Sequence, residues 1–146
     1  NEATDAELHD AAETAQALAF IEDRDDGFED FIAEKGASLS GGQKQRLSIA
    51  RALTRKPEIL ILDDATSALD LATESKLRAG LEEKMKDTTV IMIAQRIASV
   101  KNADRIAVIE NGTISACATH DELMRTSATY RDIYDSQMRN GGEINE

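Results

Sequence analysis

Two short stretches carry residue types that can handle a phosphate. Leu39-Ser40-Gly41-Gly42-Gln43 sets two glycines directly before a helical pattern in which Leu47, Ile49, Ala50 and Leu53 are apolar and Lys44, Arg46, Arg51 and Arg55 are charged. A glycine pair at a helix start lets an anion approach free backbone N–H groups and the positive end of the helix dipole. Pro57 ends that pattern, and Ile59-Leu60-Ile61-Leu62 reads as a short strand buried on both faces. Asp63 and Asp64 follow at its C-terminal end, where open α/β sheets place their ligand chemistry. A carboxylate there can hold magnesium next to a phosphate.

The elements around these stretches follow from capping and periodicity. Thr4-Asp5-Ala6-Glu7 is a capping box, which predicts a helix from there to about Asp23. Asp23-Arg24-Asp25-Asp26-Gly27 invites comparison with a calcium loop, but its glycine falls at the fifth position, not the sixth, so it reads as an acidic turn. Asp70 sits at the N-cap of a predicted helix over Leu71–Lys86. Thr88–Ala94 and Arg105–Ile109 read as strands running parallel to Ile59–Leu62, with a short helix ending at Lys101 between them. Asn111-Gly112 is a hairpin turn signal leading into an antiparallel edge strand, Thr113–Ala116. Thr119-His120-Asp121-Glu122 is a second capping box, with His120 a surface helix-start residue. Ser127–Met138 reads as a last amphipathic helix docked by Tyr130, Ile133, Tyr134 and Met138, and Gly141–Glu146 as a frayed end.

Composition narrows the function classes. The 146 residues are 41% hydrophobic and 31% charged, the profile of one globular, helix-rich α/β unit. The formal net charge is −11, and residues 1–37 hold twelve acidic against two basic side chains. That balance argues against nucleic acid as a partner, because nothing there replaces phosphate counterions. The single cysteine, Cys117, excludes an internal disulfide and fits a reducing cytosol. No apolar run approaches the roughly 20 residues that span a bilayer, so membrane attachment is expected from outside this chain.

In this order and spacing the motifs form a family pattern. Leu39–Gln43 resembles the signature motif of ATP-binding cassette (ABC) proteins, Ile59–Asp64 their Walker B strand, and Ser67-Ala68-Leu69-Asp70 their D-loop. Ala33-Glu34-Lys35-Gly36 resembles the short loop that ABC exporters place before the signature. The resemblance runs from Thr4 to about Tyr134 and is nearest the exporter type, whose nucleotide-binding domain follows a membrane domain in the same polypeptide. It implies an α/β, P-loop NTPase (RecA-like) parallel-sheet core, C-terminal part only, with an all-helical signature subdomain. Residues 1–55 would form that subdomain and 56–146 the C-terminal part of the core. Gly36 and Gly41 share the glycine spacing of a P-loop, but Gly42-Gln43 stands where lysine and serine or threonine are required. The Walker A lysine, the adenine-stacking aromatic and the Q-loop, which the family places upstream, are absent from this sequence, which resembles a piece of a longer polypeptide.

What the resemblance implies for chemistry is specific. ATP and Mg2+ are the cofactors of the full-length protein, with Asp63 holding the metal through water. Ser40, Gly41, Gly42 and Gln43 act in trans, closing on the γ-phosphate of ATP held by a partner domain in a head-to-tail sandwich. The implied partners are a second nucleotide-binding domain, on a different subunit, and the transmembrane domain of the same polypeptide, at the cytoplasmic face of the cell membrane. Asp64 and Gln95 are the catalytic positions, and both depart from the pattern. The family has glutamate at the first, orienting the attacking water, and here the carboxylate is one methylene shorter. It has the switch histidine at the second, and glutamine cannot carry imidazole's charge. Together they imply a site that holds ATP and turns it over slowly or not at all, as in the degenerate member of a heterodimeric exporter. Two other readings share the motifs: the C-terminal head lobe of a chromosome-maintenance or DNA-repair ATPase, and a nucleotide-sensing module that never hydrolyses ATP. Without the P-loop strand, the isolated chain is expected to be inactive, to expose a hydrophobic flank beside its buried strands and to self-associate.

Overall fold

The computed structural model describes residues 3–142. They divide into two compact units, with the division in sequence between Ile93 and Ala94.

The first unit holds α1 (Asp5–Thr14), α2 (Leu18–Glu22), α3 (Gly41–Leu53), β1 (Ile59–Asp63), α4 (Leu71–Lys84) and β2 (Thr89–Ile93), with single 3-10 turns at Gly27–Glu29 and Glu34–Gly36. The capping box forms as expected: the Glu7 N–H donates to Thr4 Oγ1 at 3.3 Å and the Thr4 N–H to Glu7 Oε2 at 2.9 Å. The single helix expected from Thr4 to Asp23 is instead two, broken at Gln16, whose φ of 58° is left-handed. Arg46 of α3 holds the break, donating from Nη1 to the Gln16 carbonyl at 2.7 Å while its guanidinium lies 4.8 Å from the Phe20 ring centroid. Ion pairs tie α1 to later elements: Lys56 to Glu7 at 2.6 Å, and Lys84 to Asp10 and Glu13 at 2.6 and 2.7 Å.

Strands β1 and β2 pair in parallel, from Ile59 opposite Thr89 to Asp63 opposite Ile93. Leu60 and Leu62 point into a core shared with Ile49 and Leu53 of α3 and Leu77 and Leu81 of α4. Burying each such side chain contributes about 1.5–3 kcal/mol. The expectation that β1 is buried on both faces does not hold. Its residues alternate, and Ile59 and Ile61 are 59% and 61% exposed. On β2, Ile91 and Ile93, on the same face as Ile61 and Asp63, are exposed too. The physical reason is layering: the helices of this unit join Leu60 and Leu62 in one cluster, which covers one face.

The second unit holds α5 (Ile97–Val100), β3 (Ile106–Glu110), β4 (Thr113–Ala118), α6 (His120–Thr126) and α7 (Ala128–Gly142). Among the described residues β3 pairs with β4 alone, antiparallel, in a two-stranded sheet, so the expected parallel partnership with the earlier strands is corrected. Asn111 and Gly112, at φ 49° and 77°, make the tight left-handed turn that folds the chain straight back. The second capping box forms at Thr119 and Glu122, and His120 Nδ1 lies 2.9 Å from the Tyr130 hydroxyl. Burial holds the Tyr130 phenol above its ordinary pKa. Tyr130 and Tyr134 pack on the cluster of Ile97, Ile106, Val108 and Leu123, whereas Ile133 and Met138 stay exposed, so half of the expected docking set docks α7. Gly141 and Gly142 lie within α7, and the rest of the expected frayed end lies outside the described residues. Among the described residues no helix is long and apolar enough to cross a membrane.

Candidate phosphate-facing site

Ser40 is the N-cap of α3, and its side chain does more than border a phosphate loop. Ser40 Oγ accepts from the Gln43 N–H at 3.2 Å and the Ser40 N–H donates to Gln43 Oε1 at 2.9 Å. That reciprocal pair is a capping box, a signal already carried by the S-x-x-Q spacing. It fixes the start of the helix and leaves Gly41 and Gly42 as its first-turn donors, the groups that an anion meets.

Asp63 ends β1 and Asp64 begins the turn after it, both carboxylates exposed. Asp64 has a left-handed φ of 49°. Its N–H donates to the Ile93 carbonyl at 3.1 Å, and its carbonyl accepts from Ser67 Oγ at 3.0 Å. In the segment that follows, Thr66 and Leu69 enter the core while Ser67, Ala68 and Asp70 stay exposed. Thr66 is buried and its hydroxyl donates to Glu74 Oε1 of α4 at 3.0 Å, and Leu69 is buried beside it. Asp70 N-caps α4, accepting from the Thr73 N–H at 2.9 Å and from Thr73 Oγ1 at 2.7 Å. Those contacts, the backbone one foremost, hold the Asp70 carboxyl below its usual pKa.

The start of α3 and the D-loop touch. A Cβ built on Gly42 would come within 3.0 Å of the Ala68 carbonyl oxygen, so only glycine fits without a shift. One turn further along the helix, Gln45 reaches the same segment. Its Nε2 donates to the Asp64 carbonyl at 3.2 Å and to Ser67 Oγ at 3.0 Å, while its Oε1 accepts from the Ala68 N–H at 2.9 Å. Sequence reading passed over Gln45, because its partners lie about twenty residues away and nothing local marks them.

Within the first unit, therefore, Gly41 and Gly42, flanked by Ser40 and Gln43, adjoin Ala68 and Leu69 of the segment Ser67–Asp70 that follows Asp63 and Asp64. Gln95 lies in the second unit, exposed, after β2. Gln137 of α7 grips the backbone beside it: Nε2 donates to the Gln95 carbonyl at 2.7 Å and Oε1 accepts from the Ile97 N–H at 2.8 Å. The acidic turn after α2 is closed by an ion pair between Arg24 and Asp30. Among the described residues no cluster of three or more His, Cys, Asp or Glu could hold a metal. At the end of β1 the donors are the adjacent exposed carboxylates of Asp63 and Asp64, and magnesium is commonly bound through one or two carboxylates with water and phosphate oxygens completing its shell.

This arrangement seats a helix that begins with two glycines against the turn that follows the Asp63-Asp64 strand end. The family model for ABC transporters matches residues 1–67. The chain is 52% identical over 136 residues to a beta-(1→2)glucan export ATP-binding/permease protein of Bradyrhizobium diazoefficiens, covering 93% of this chain and 22% of that protein. It is 49% identical over 131 residues to an ATP-dependent lipid A-core flippase of Haemophilus influenzae, covering 90% of this chain and 22% of that one. The structure of a bacterial Atm1-family ABC exporter with ATP bound superposes with a TM-score of 0.89 at 34% identity, over 94% of this chain and 24% of the exporter's. The chain belongs to the ABC transporter family and matches the C-terminal part of an exporter's nucleotide-binding domain. It spans under a quarter of the length of each of these relatives.

Proposed function

We propose that this chain is the signature- and Walker B-bearing part of a nucleotide-binding domain that binds and hydrolyses ATP to drive export across a membrane, and that it comes from the degenerate member of a heterodimeric pair. The observation that supports this best is the seating of the α3 start on the D-loop beside Asp63 and Asp64. ATP and Mg2+ would be held between two such domains. Bound there, the metal neutralises phosphate charge, and the residues of this chain do the positioning. Gly41 and Gly42 present first-turn N–H groups to the γ-phosphate at the partner's site, and Ser40 and Gln43 hold that turn in place through their capping box. Asp63 offers one carboxylate to the hydrated metal at this domain's own site. Asp64 falls about an ångström short of where a glutamate would orient water, a misplacement that can cost on the order of 100-fold in rate. Gln95 can donate a hydrogen bond at the switch position but brings no charge.

In this reading residues 1–55 are the helical signature subdomain and 56–146 the C-terminal part of the core. The transmembrane domain of the same polypeptide anchors it at the cytoplasmic face of the membrane. The isolated chain binds Mg-ATP weakly and hydrolyses none, because a phosphate cradle needs P-loop amides and a lysine. Calorimetry with Mg-ATP should find no submicromolar binding. The decisive experiment for the pairing is ATP turnover by the full-length polypeptide, alone and with the product of its neighbouring reading frame. Turnover is expected only from the pair, and full turnover by the polypeptide alone would overturn the heterodimer.

A further inference from the structure

We propose that Gln45 is a positioning residue that locks Asp64 and the signature helix into one geometry. The proposal rests on the roles just assigned to Asp64 and to residues 40–43, and it adds what holds them in register. Asp64 sits in a left-handed conformation at φ 49°. Aspartate is one of the few non-glycine residues that adopt this state, and contacts to its backbone decide how firmly it is held there. The backbone of Asp64 is pinned from three directions: Ile93 of β2 takes its N–H at 3.1 Å, and Ser67 Oγ at 3.0 Å and Gln45 Nε2 at 3.2 Å donate to its carbonyl. Ser67 is local and Ile93 belongs to the sheet. Gln45 alone of the three belongs to the signature helix.

The chemistry of the side chain matches the task. The Ala68 N–H, 2.9 Å away, can meet only an acceptor, so it settles which end of the amide is oxygen. Nε2 then faces two oxygens, the Asp64 carbonyl and Ser67 Oγ, and one amide satisfies all three groups. Among unbranched side chains of similar length, glutamate lacks the donors and methionine lacks donors and a strong acceptor. Gln45 and Gly42, three residues apart, lie on one face of the helix. Gly42 seats that face against the Ala68 carbonyl, leaving no room for a Cβ, and Gln45 fastens it. The carboxylate at the end of β1 and the helix start that meets the partner's phosphate are thus joined through a single side chain.

The test uses the full-length polypeptide with its partner, carrying Gln45→Met or Gln45→Glu. Both variants should lower kcat for ATP by roughly tenfold, while KM for ATP stays within about twofold, because Gln45 touches no nucleotide in this reading. A merely structural role would move KM and the melting midpoint along with kcat. In parallel, hydrogen exchange without nucleotide should be about 2- to 10-fold faster in a peptide spanning residues 63–70 of Gln45→Met, the range expected for a lost hydrogen bond. Unchanged exchange overturns the clamp, and faster exchange with unchanged kcat overturns the positioning role. A wild-type pair that shows no turnover sinks the transport ATPase reading instead, and exchange then decides the clamp by itself.

Discussion

Gln137 caps α5 from forty residues away, and in doing so fixes the backbone of Gln95. The N-cap residue of α5, Arg96, makes no side-chain capping bond, and the Ile97 N–H is instead taken by Gln137 Oε1 at 2.8 Å. The same amide donates to the Gln95 carbonyl at 2.7 Å. The backbone at Gln95 is therefore set from α7, by a residue that no motif includes.

Gln137→Leu should leave the N–H of a buried residue, Ile97, without its partner. Such a loss costs about 1–3 kcal/mol, which thermal melting of the domain would register as a drop of several degrees. Gln137→Glu keeps the acceptor and should recover part of it. Equal midpoints for wild type and Gln137→Leu would mean that water caps the helix as well.

In the complete transporter, Asp64→Glu together with Gln95→His should raise ATP turnover at the site proposed for this domain. One change restores reach and the other charge, and residues that act as a unit are non-additive. The measurement is turnover in a heterodimer whose other site has been disabled. A flat response would remove degeneracy at these two positions as the cause of slow hydrolysis.

Ser40→Arg or Gly42→Asp should abolish turnover at the opposite site, the one built on the partner's Walker A. Ser40→Arg also removes the capping-box oxygen, and Gly42→Asp drives a Cβ into the Ala68 carbonyl as well as adding negative charge. The loss should exceed that from any change at Asp64. Comparable losses from both would argue for two equivalent sites.

Acid should loosen the start of the N-terminal helix. The Lys56 ammonium and the Thr4 N–H and hydroxyl hold Glu7 down to about 2 from 4.5. A carboxylate depressed by folding contributes stability in full above its unfolded pKa and loses it as pH falls through the folded one. The window therefore runs from about pH 4.5 down to about 2. Glu7→Gln keeps the capping box but removes the charge, so its melting midpoint should fall less steeply across that window. Parallel curves for the two proteins would show that Glu7 does not contribute.

The local devices were legible in the sequence: capping boxes at Thr4 and Thr119, the Asp70 cap, the Asn111-Gly112 turn and the strand at Ile59 all form. Each depends on residues within four positions of one another. What could not be read were contacts made by side chains reaching across the fold. Arg46 holds the helix break at Gln16, Gln45 holds Asp64, and Gln137 holds Gln95, over sequence separations of 30, 19 and 42 residues. An amide carries no periodicity to betray its partner. The one-sided burial of β1 was hidden for another reason. An unbroken apolar run states what a strand can bury, not how many layers are present to cover it.

That uncovered face has a consequence for handling the protein. Ile59, Ile61, Ile91 and Ile93 present their side chains to water on one face, and we expect copies of the chain to associate through them. Light scattering should find more than the 15.9 kDa of one chain, and a well-behaved monomer would refute it. The drive for such contact is almost wholly entropic near room temperature and weakens on cooling. Chilled samples should therefore loosen and warmed ones tighten, the reverse of what ordinary refrigeration assumes, and a cold-room gel filtration run would report a smaller particle than the same run on the bench.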